Sequence, residues 1–326
     1  MLSRSRVLAV VNQKGGVGKT TTTVNLAASF AAAERATLLV DLDPQANASS
    51  ACDVANSPQQ IYDVLIGGCV MKDAVRPTAQ SHLHVVPSAP DLVGAEIELV
   101  NLPNRERRLE SALVNVRDSY EFVLIDCPPS LGILTLNALT AADAIIIPLQ
   151  CEYYALEGLA RLLETLERVR GSLNPSLGVD GIVLTMVDLR NNLARQVEAE
   201  VRSHFGDRVY QTVIPRNVRL SEAPSHGMPV LLYDPQSAGS KAYTALCYEI
   251  LNRLELSDPP LSPPTLAPMP TGAADSLAAP SRPETSARSA TQTAPGSASA
   301  TKTASDVSAA EDTRTASTGG INGHVA

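Results

Sequence analysis

The chain has 326 residues, a formal net charge of −8 and 44% hydrophobic residues, enough for one large α/β core or two smaller ones. No apolar run reaches the roughly 18 residues of a membrane span, and the short lead before the first strand leaves no room for a signal peptide. An acidic chain does not advertise nucleic-acid binding, so any such binding must come from a local patch.

Val7–Val11 is an apolar run that reads as a buried strand, and Thr21–Ala33 carries apolar residues at helical spacing. Between them lies Asn12-Gln13-Lys14-Gly15-Gly16-Val17-Gly18-Lys19-Thr20. Strand, glycine-rich turn and helix are the setting of a phosphate loop, in which backbone N–H groups and a helix N-terminus converge on an anion. Lys19 is placed to reach β- and γ-phosphates, and the Thr20 hydroxyl to bind Mg²⁺. The loop departs once from the usual pattern, with Gln13 in place of the first glycine, and Lys14 at the next position adds a second lysine. One lysine suffices within a subunit, so the second suggests a reach into a neighbouring subunit's nucleotide.

Thr37–Val40 reads as a second strand, followed by Asp41-Leu42-Asp43-Pro44-Gln45. Asp43 is a candidate for the metal's outer shell or for orienting the attacking water, and equally a turn-initiating Asp before proline. Ser57-Pro58 looks like a helix start, with Ile61, Val64 and Leu65 on one face. Leu83–Pro87 is a third strand. Ser88 is placed to cap a helix carrying Leu92, Ile97 and Leu99. Leu102–Arg117 reads as one helix whose charged residues, Arg105 to Glu110, form a solvated face.

Glu121–Asp126 is a fourth strand ending in an acid, the second half of a triphosphatase site when coupled to the loop. Cys127-Pro128-Pro129-Ser130 makes a rigid turn beside it. Strands follow at Ala144–Leu149, Val179–Met186 and Val209–Ile214, and helices at Glu152–Arg170, Asn191–Phe205 and Gln236–Leu254. The alternation predicts an α/β fold, a mostly parallel twisted sheet with helices on both faces, over residues 1–256. The five cysteines are scattered with no metal-ligand spacing and read as reduced packing residues. Residues 257–326, built from Ala, Ser, Thr, Pro and Gly without an aromatic, read as a disordered tail.

The residues Lys14 to Thr20, Asp41 to Gln45, Ile125 to Ser130 and Val213 to Ser225 resemble the deviant Walker A ATPases of the ParA/MinD family, the later blocks its short chromosomal Soj branch. Ala46 departs from the family's glycine and is expected to stiffen its loop. The resemblance implies a P-loop NTPase that uses ATP and Mg²⁺ and hydrolyses ATP slowly as a sandwich homodimer. In that dimer Lys14 crosses to the partner's phosphates. Nucleotide contacts fall on Lys14, Gly15, Gly16, Val17, Gly18, Lys19, Thr20, Thr21, Pro215 and Asn217. Thr20, Asp43 and Asp126 serve the metal, and Asp43 places the water.

The resemblance further implies ATP-dependent, sequence-independent binding of double-stranded DNA through Arg190 and Arg219, release by a ParB-type partner, and a cytoplasmic, nucleoid-associated protein. Charge counting around those arginines is near balance and lends little support of its own. The short N-terminus is expected to exclude a helix-turn-helix domain. The alternatives are a MinD-like membrane switch, for which the chain's end offers no amphipathic helix, and a metabolic enzyme on the same scaffold. An electron carrier is poorer still, for want of a cluster-bridging cysteine pair.

Overall fold

A computed structural model describes residues 5–152, 154–188 and 190–255. The segment read as a disordered tail lies outside the described residues.

A seven-stranded sheet runs in the order β3-β4-β2-β5-β1-β6-β7. Its strands are β1 (Arg6–Val10), β2 (Thr37–Asp41), β3 (Arg76–Pro77), β4 (Leu83–Val86), β5 (Phe122–Asp126), β6 (Ala144–Gln150) and β7 (Gly178–Thr185). Every pairing is parallel except β3 with β4. The central strands are apolar at consecutive positions because both faces are covered. Val7 and Ala9 join one core, Leu8 and Val10 the other, as the two-residue period of a strand requires.

On one face lie α1 (Lys19–Ala32) and the C-terminal helix Ala238–Glu255, whose Tyr243, Leu246, Cys247 and Ile250 are buried as expected. Phe30 of α1 stacks on Phe122 of β5 with ring centroids 4.0 Å apart. The other face is covered by several helices, among them Ile133–Ala141, Ala155–Ser172 and Asn192–Phe205. Leu159, Leu162, Leu163 and Leu166 are buried there, as their spacing predicts. Of the cysteines, Cys52, Cys127, Cys151 and Cys247 are buried, Cys69 is half-buried, and all are free thiols.

Several expectations are corrected. Val209–Ile214 is not a continuous strand: it touches β7 at an isolated bridge, Ile182–Val209, with Tyr210 N donating to Ile182 O (2.9 Å) and Ile214 N to Leu184 O (2.8 Å). Glu249 explains this, because its carboxylate accepts from the backbone N–H groups of Gln211 (2.8 Å) and Thr212 (2.9 Å). The seventh strand of the sheet is instead the two-residue β3.

Leu102–Arg117 does not form one helix either. It breaks into 3₁₀ turns at Arg105–Arg107 and Arg117–Ser119 around a short helix, Arg108–Leu113. Its charged run is not merely solvated. Arg107 donates to the Leu173 carbonyl, Arg108 to Leu65 O at 2.8 Å, and Asn137 bridges Arg105 O and Leu109 N. These are long-range ties that no local charge pattern reveals.

Ser88 caps no helix. Its N–H donates to Ser49 Oγ at 2.8 Å, and the helix Leu92–Glu98 begins after Asp91. Ile97 lies 72% exposed rather than inward. Finally, the helix Ile133–Ala141 follows the Cys127–Ser130 turn, where the sequence pattern predicts no element.

Ala46 sits at φ +52°, in the left-handed region that favours glycine, so its effect is strain as much as stiffness. An L-residue there costs about 1–2 kcal/mol, partly offset by the lower unfolded-state entropy of alanine. Ala46→Gly is therefore expected to raise stability by about 0.5–1 kcal/mol. Chemical denaturation reads this directly, and a lowered midpoint would contradict the assignment of strain.

Candidate functional site

The site lies beyond the carboxyl ends of β1, β2 and β5, where an open parallel sheet binds ligands. The chain leaves β1 for β2 on one side of the sheet, and β6 lies on the other. Gly16 (φ +75°) and Gly18 (φ +88°) take left-handed conformations that turn the loop into α1. Gly18 caps α1 with no side-chain hydrogen bond, and the first turn carries no acid, so its N–H groups remain available to an anion.

The loop is held from both sides. Asn12 Nδ2 donates to Pro148 O (2.7 Å), while its Oδ1 accepts from Lys14 N (3.0 Å). Thr185 Oγ1 donates to Val17 O at 2.8 Å.

The two lysines are disposed differently. Lys19 is buried, and its Nζ donates to Lys14 O at 3.2 Å. Burial lowers its pKa, opposed by the carboxylates of Asp126 and Asp43. Lys14 stands at the loop's rim with 44% of its side chain exposed and forms an ion pair with Glu152 of the same chain.

Asp126 and Asp41 are register partners at the ends of β5 and β2, both fully buried. Burial raises the pKa of each, and their proximity raises Asp126 further, against the Thr20 and Thr23 hydroxyls. Asp126 Oδ1 accepts from Thr23 Oγ1 at 3.0 Å, whereas its buried Oδ2 has no hydrogen-bond partner among the described residues. An orphaned carboxylate oxygen near a threonine hydroxyl suits a hard cation. Among the described residues no cluster of three His, Cys, Asp or Glu side chains could hold a metal unaided. A Mg²⁺ ion held by Asp126 and Thr20 would draw its other ligands from phosphate and water, as that ion ordinarily does.

Asp43 is buried, and its Oδ1 accepts from Gln45 N at 3.0 Å. The turn-forming role is therefore present, alongside an electrostatic coupling to Lys19. Cys127 is fully buried with its thiol pKa raised by burial, as fits a packing residue rather than a nucleophile.

Pro215 bridges Val187 at the end of β7. Asn217 caps the helix Val218–Glu222, its Oδ1 accepting from Arg219 N at 3.0 Å, which leaves its amide N–H groups for another partner. Arg190 is 91% exposed and pairs with Asp188 at 2.8 Å. Arg219 pairs with Glu222 (2.8 Å) and Asp234 (3.3 Å). Both arginines proposed for DNA are thus already paired with acids of the same chain.

Several supporting residues carry little or no sequence signal. Asp41 organises the loop carrying Asp43: it accepts from Asp43 N (3.1 Å), Ser49 N (2.8 Å) and Ser49 Oγ (2.6 Å). Its position at a strand end, like that of Asp126, is the signal that could have found it. Thr23 lies one helical turn after Thr20 and so shares its face. Glu152 has no signal at all.

Comparison with known proteins agrees with this geometry. The AAA domain family matches residues 5–179. The chain is 54% identical over 260 residues to the chromosome partitioning protein ParA of Myxococcus xanthus, covering 79% of this chain and 90% of that protein. It is 53% identical over 247 residues to the sporulation initiation inhibitor protein Soj of Bacillus subtilis, covering 76% and 98%. Among solved structures it resembles the cobyrinic acid a,c-diamide synthase of Mycobacterium smegmatis with bound ATP analogue and magnesium. There the TM-score is 0.68 at 35% identity, over 81% of this chain and 100% of that one. With this loop, these two strand-end acids and more than half of the aligned residues identical to each of these two relatives over nearly their whole length, the chain belongs to the ParA/Soj family of chromosome-partitioning proteins.

Proposed function

We propose that residues 1–256 form a partition ATPase that binds Mg²⁺–ATP, closes into a homodimer around two nucleotides, grips double-stranded DNA without regard to sequence, and lets go after hydrolysis stimulated by a ParB-type protein. The observation that carries this reading is the division between the two lysines. Lys19 is sunk beside Asp126 and Asp43, where it can serve only its own nucleotide. Lys14 is at the rim, where a second subunit's phosphates can meet it. A methyl added at Gly15 meets nothing within 4 Å, so the chain itself gives no reason for glycine there, whereas a second backbone pressed over the loop would.

Each group then has a task. Backbone N–H groups from Gly15 to Thr20, with Thr21 behind them, hold the phosphates, and Lys19 neutralises β- and γ-oxygens. Thr20 and Asp126 hold Mg²⁺, which screens charge as it accumulates on the phosphates; Asp43 adds to that outer shell. Asp43 orients the attacking water with the carboxylate oxygen not spent on Gln45. The Asn217 amide and Pro215 meet the base. Lys14 from the partner supplies the last positive charge, so a lone subunit turns over slowly.

DNA binding by Arg190 and Arg219 requires each to exchange a carboxylate for a phosphate, which is favourable where two subunits align their patches. The double change Arg190→Ala, Arg219→Ala is expected to weaken ATP-dependent DNA co-sedimentation by about tenfold or more at moderate salt while leaving ATP turnover without DNA intact. Unchanged co-sedimentation would remove both residues from the interface. Nucleoid association in the cell follows from the same contacts.

The likeness to a cobyrinic acid a,c-diamide synthase favours a second reading, a ligase on the same scaffold. ATP hydrolysis without any small-molecule acceptor, increased by DNA together with a ParB-type protein, separates the two. Among the described residues no helix is long and apolar enough to cross a membrane. The chain end on which the MinD-like alternative turned lies outside them.

A further inference from the structure

We propose that Glu152 is a positioning residue that holds Lys14 on its own subunit and so limits how often that lysine is free to serve a partner. The inference rests on the trans role of Lys14 given above and adds what restrains it before a partner arrives.

The pair is built by the fold rather than by chance proximity. Glu152 is 138 residues away in sequence and follows β6 directly, and its carboxylate accepts from Lys14 Nζ. Asn12 ties the backbone of Lys14 to Pro148 near the end of that same strand. One strap therefore fixes both partners. Glu152 itself keeps 46% of its side chain exposed, so the pair sits at the surface a second copy must approach. Lys19 and Asp126 have no part in it: they lie beneath the loop, buried.

Two anions thus compete for one ammonium, the subunit's own carboxylate and the partner's triphosphate. An exposed pair of this kind is weak, so the latch biases rather than blocks, and a doubly or triply charged phosphate displaces it. Its removal should leave the chemical step unchanged, because Glu152 is none of the groups assigned above to the phosphates, the metal or the water.

Glu152→Gln keeps the shape and removes the charge. ATP turnover measured across protein concentrations is expected to reach half its plateau at a concentration roughly two- to fivefold lower than in the parent protein. The plateau rate and the ATP dependence at saturating protein should be unchanged. Glu152→Asp should fall between the two, and the difference should vanish at about 1 M salt, where such pairs are screened. In the Lys14→Ala background, Glu152→Gln should have no further effect on ATP-dependent dimer formation.

A half-plateau concentration that is unchanged or raised would overturn the latch while leaving the trans role standing. So would a lowered plateau, or an equal effect of Glu152→Gln with Lys14 absent. Normal turnover by Lys14→Ala alone would overturn the trans role itself, and the latch with it. Equal melting temperatures for the Glu152 variants and the parent protein separate these outcomes from a folding defect.

Discussion

Lys14→Ala is expected to lower ATP turnover by about 10³-fold or more, the scale of losing a charge delivered across an interface in phosphoryl transfer. Two features set this size. The transition state spreads negative charge over the γ-phosphoryl oxygens, and a low-dielectric dimer interface magnifies any cation placed there. The change should also weaken ATP-dependent dimerisation. It should spare nucleotide binding by the single subunit, because Lys19 remains buried against the phosphate site. Stability should barely change, since the ion pair that Lys14 makes with Glu152 is exposed and such pairs are weak. Turnover at the parental rate would show that Lys14 serves no phosphate at all.

Asp43→Ala is expected to lower turnover by about 10²–10⁴-fold, as for a lost water-orienting or general-base carboxylate. Its consequence for assembly is opposite to that of Lys14→Ala. With ATP bound and uncleaved, the dimer should persist, and ATP-dependent DNA binding with it. The alanine also removes an acceptor from Gln45 N, so a loss of about 1 kcal/mol in stability accompanies the kinetic effect. Asp43→Asn separates the two contributions. Its carbonyl can still accept from Gln45 N, while the charge that orients water is gone, so hydrolysis should fail with the loop intact. An active Asp43→Asn would leave Asp43 with the turn-forming role alone.

The phosphate loop, the acid-ended strands and the sheet's parallel character were legible because each is a local pattern. An apolar run of about five residues ends at an asparagine, an aspartate or a proline, and both faces of the sheet are covered. Parts that depend on distant partners were not legible. Val209–Ile214 has a strand's composition, yet Glu249, on the C-terminal helix, takes the N–H groups of Gln211 and Thr212 and interrupts the pairing that Tyr210 and Ile214 make with β7. Leu102–Arg117 has a helix's composition, yet Asn137 and the ties of Arg107 and Arg108 break it into pieces.

The site divides in the same way. Lys19, Thr20, Asp43 and Asp126 fall together at the ends of three strands, where motif spacing put them. Asp41, which holds the Asp43 loop, and Glu152, which holds Lys14, act through contacts that no spacing encodes. For Arg190 and Arg219 the charge count was informative in an unwelcome direction: each arginine already has an acid. Their case rests on the family and on what two copies present together.

The trans action of Lys14 is tested most directly by mixing two inactive proteins, Lys14→Ala and Asp43→Ala, with ATP. In a mixed dimer, the site on the Lys14→Ala subunit has its own Asp43 and receives Lys14 from its partner, so it is complete. Turnover should recover toward a ceiling of about a quarter of the parental rate, reached when half of the dimers are mixed pairs with one complete site of two, and lower to the extent that Asp43→Ala subunits pair with themselves. A mixture no more active than its separate components would mean that Lys14 works within its own subunit.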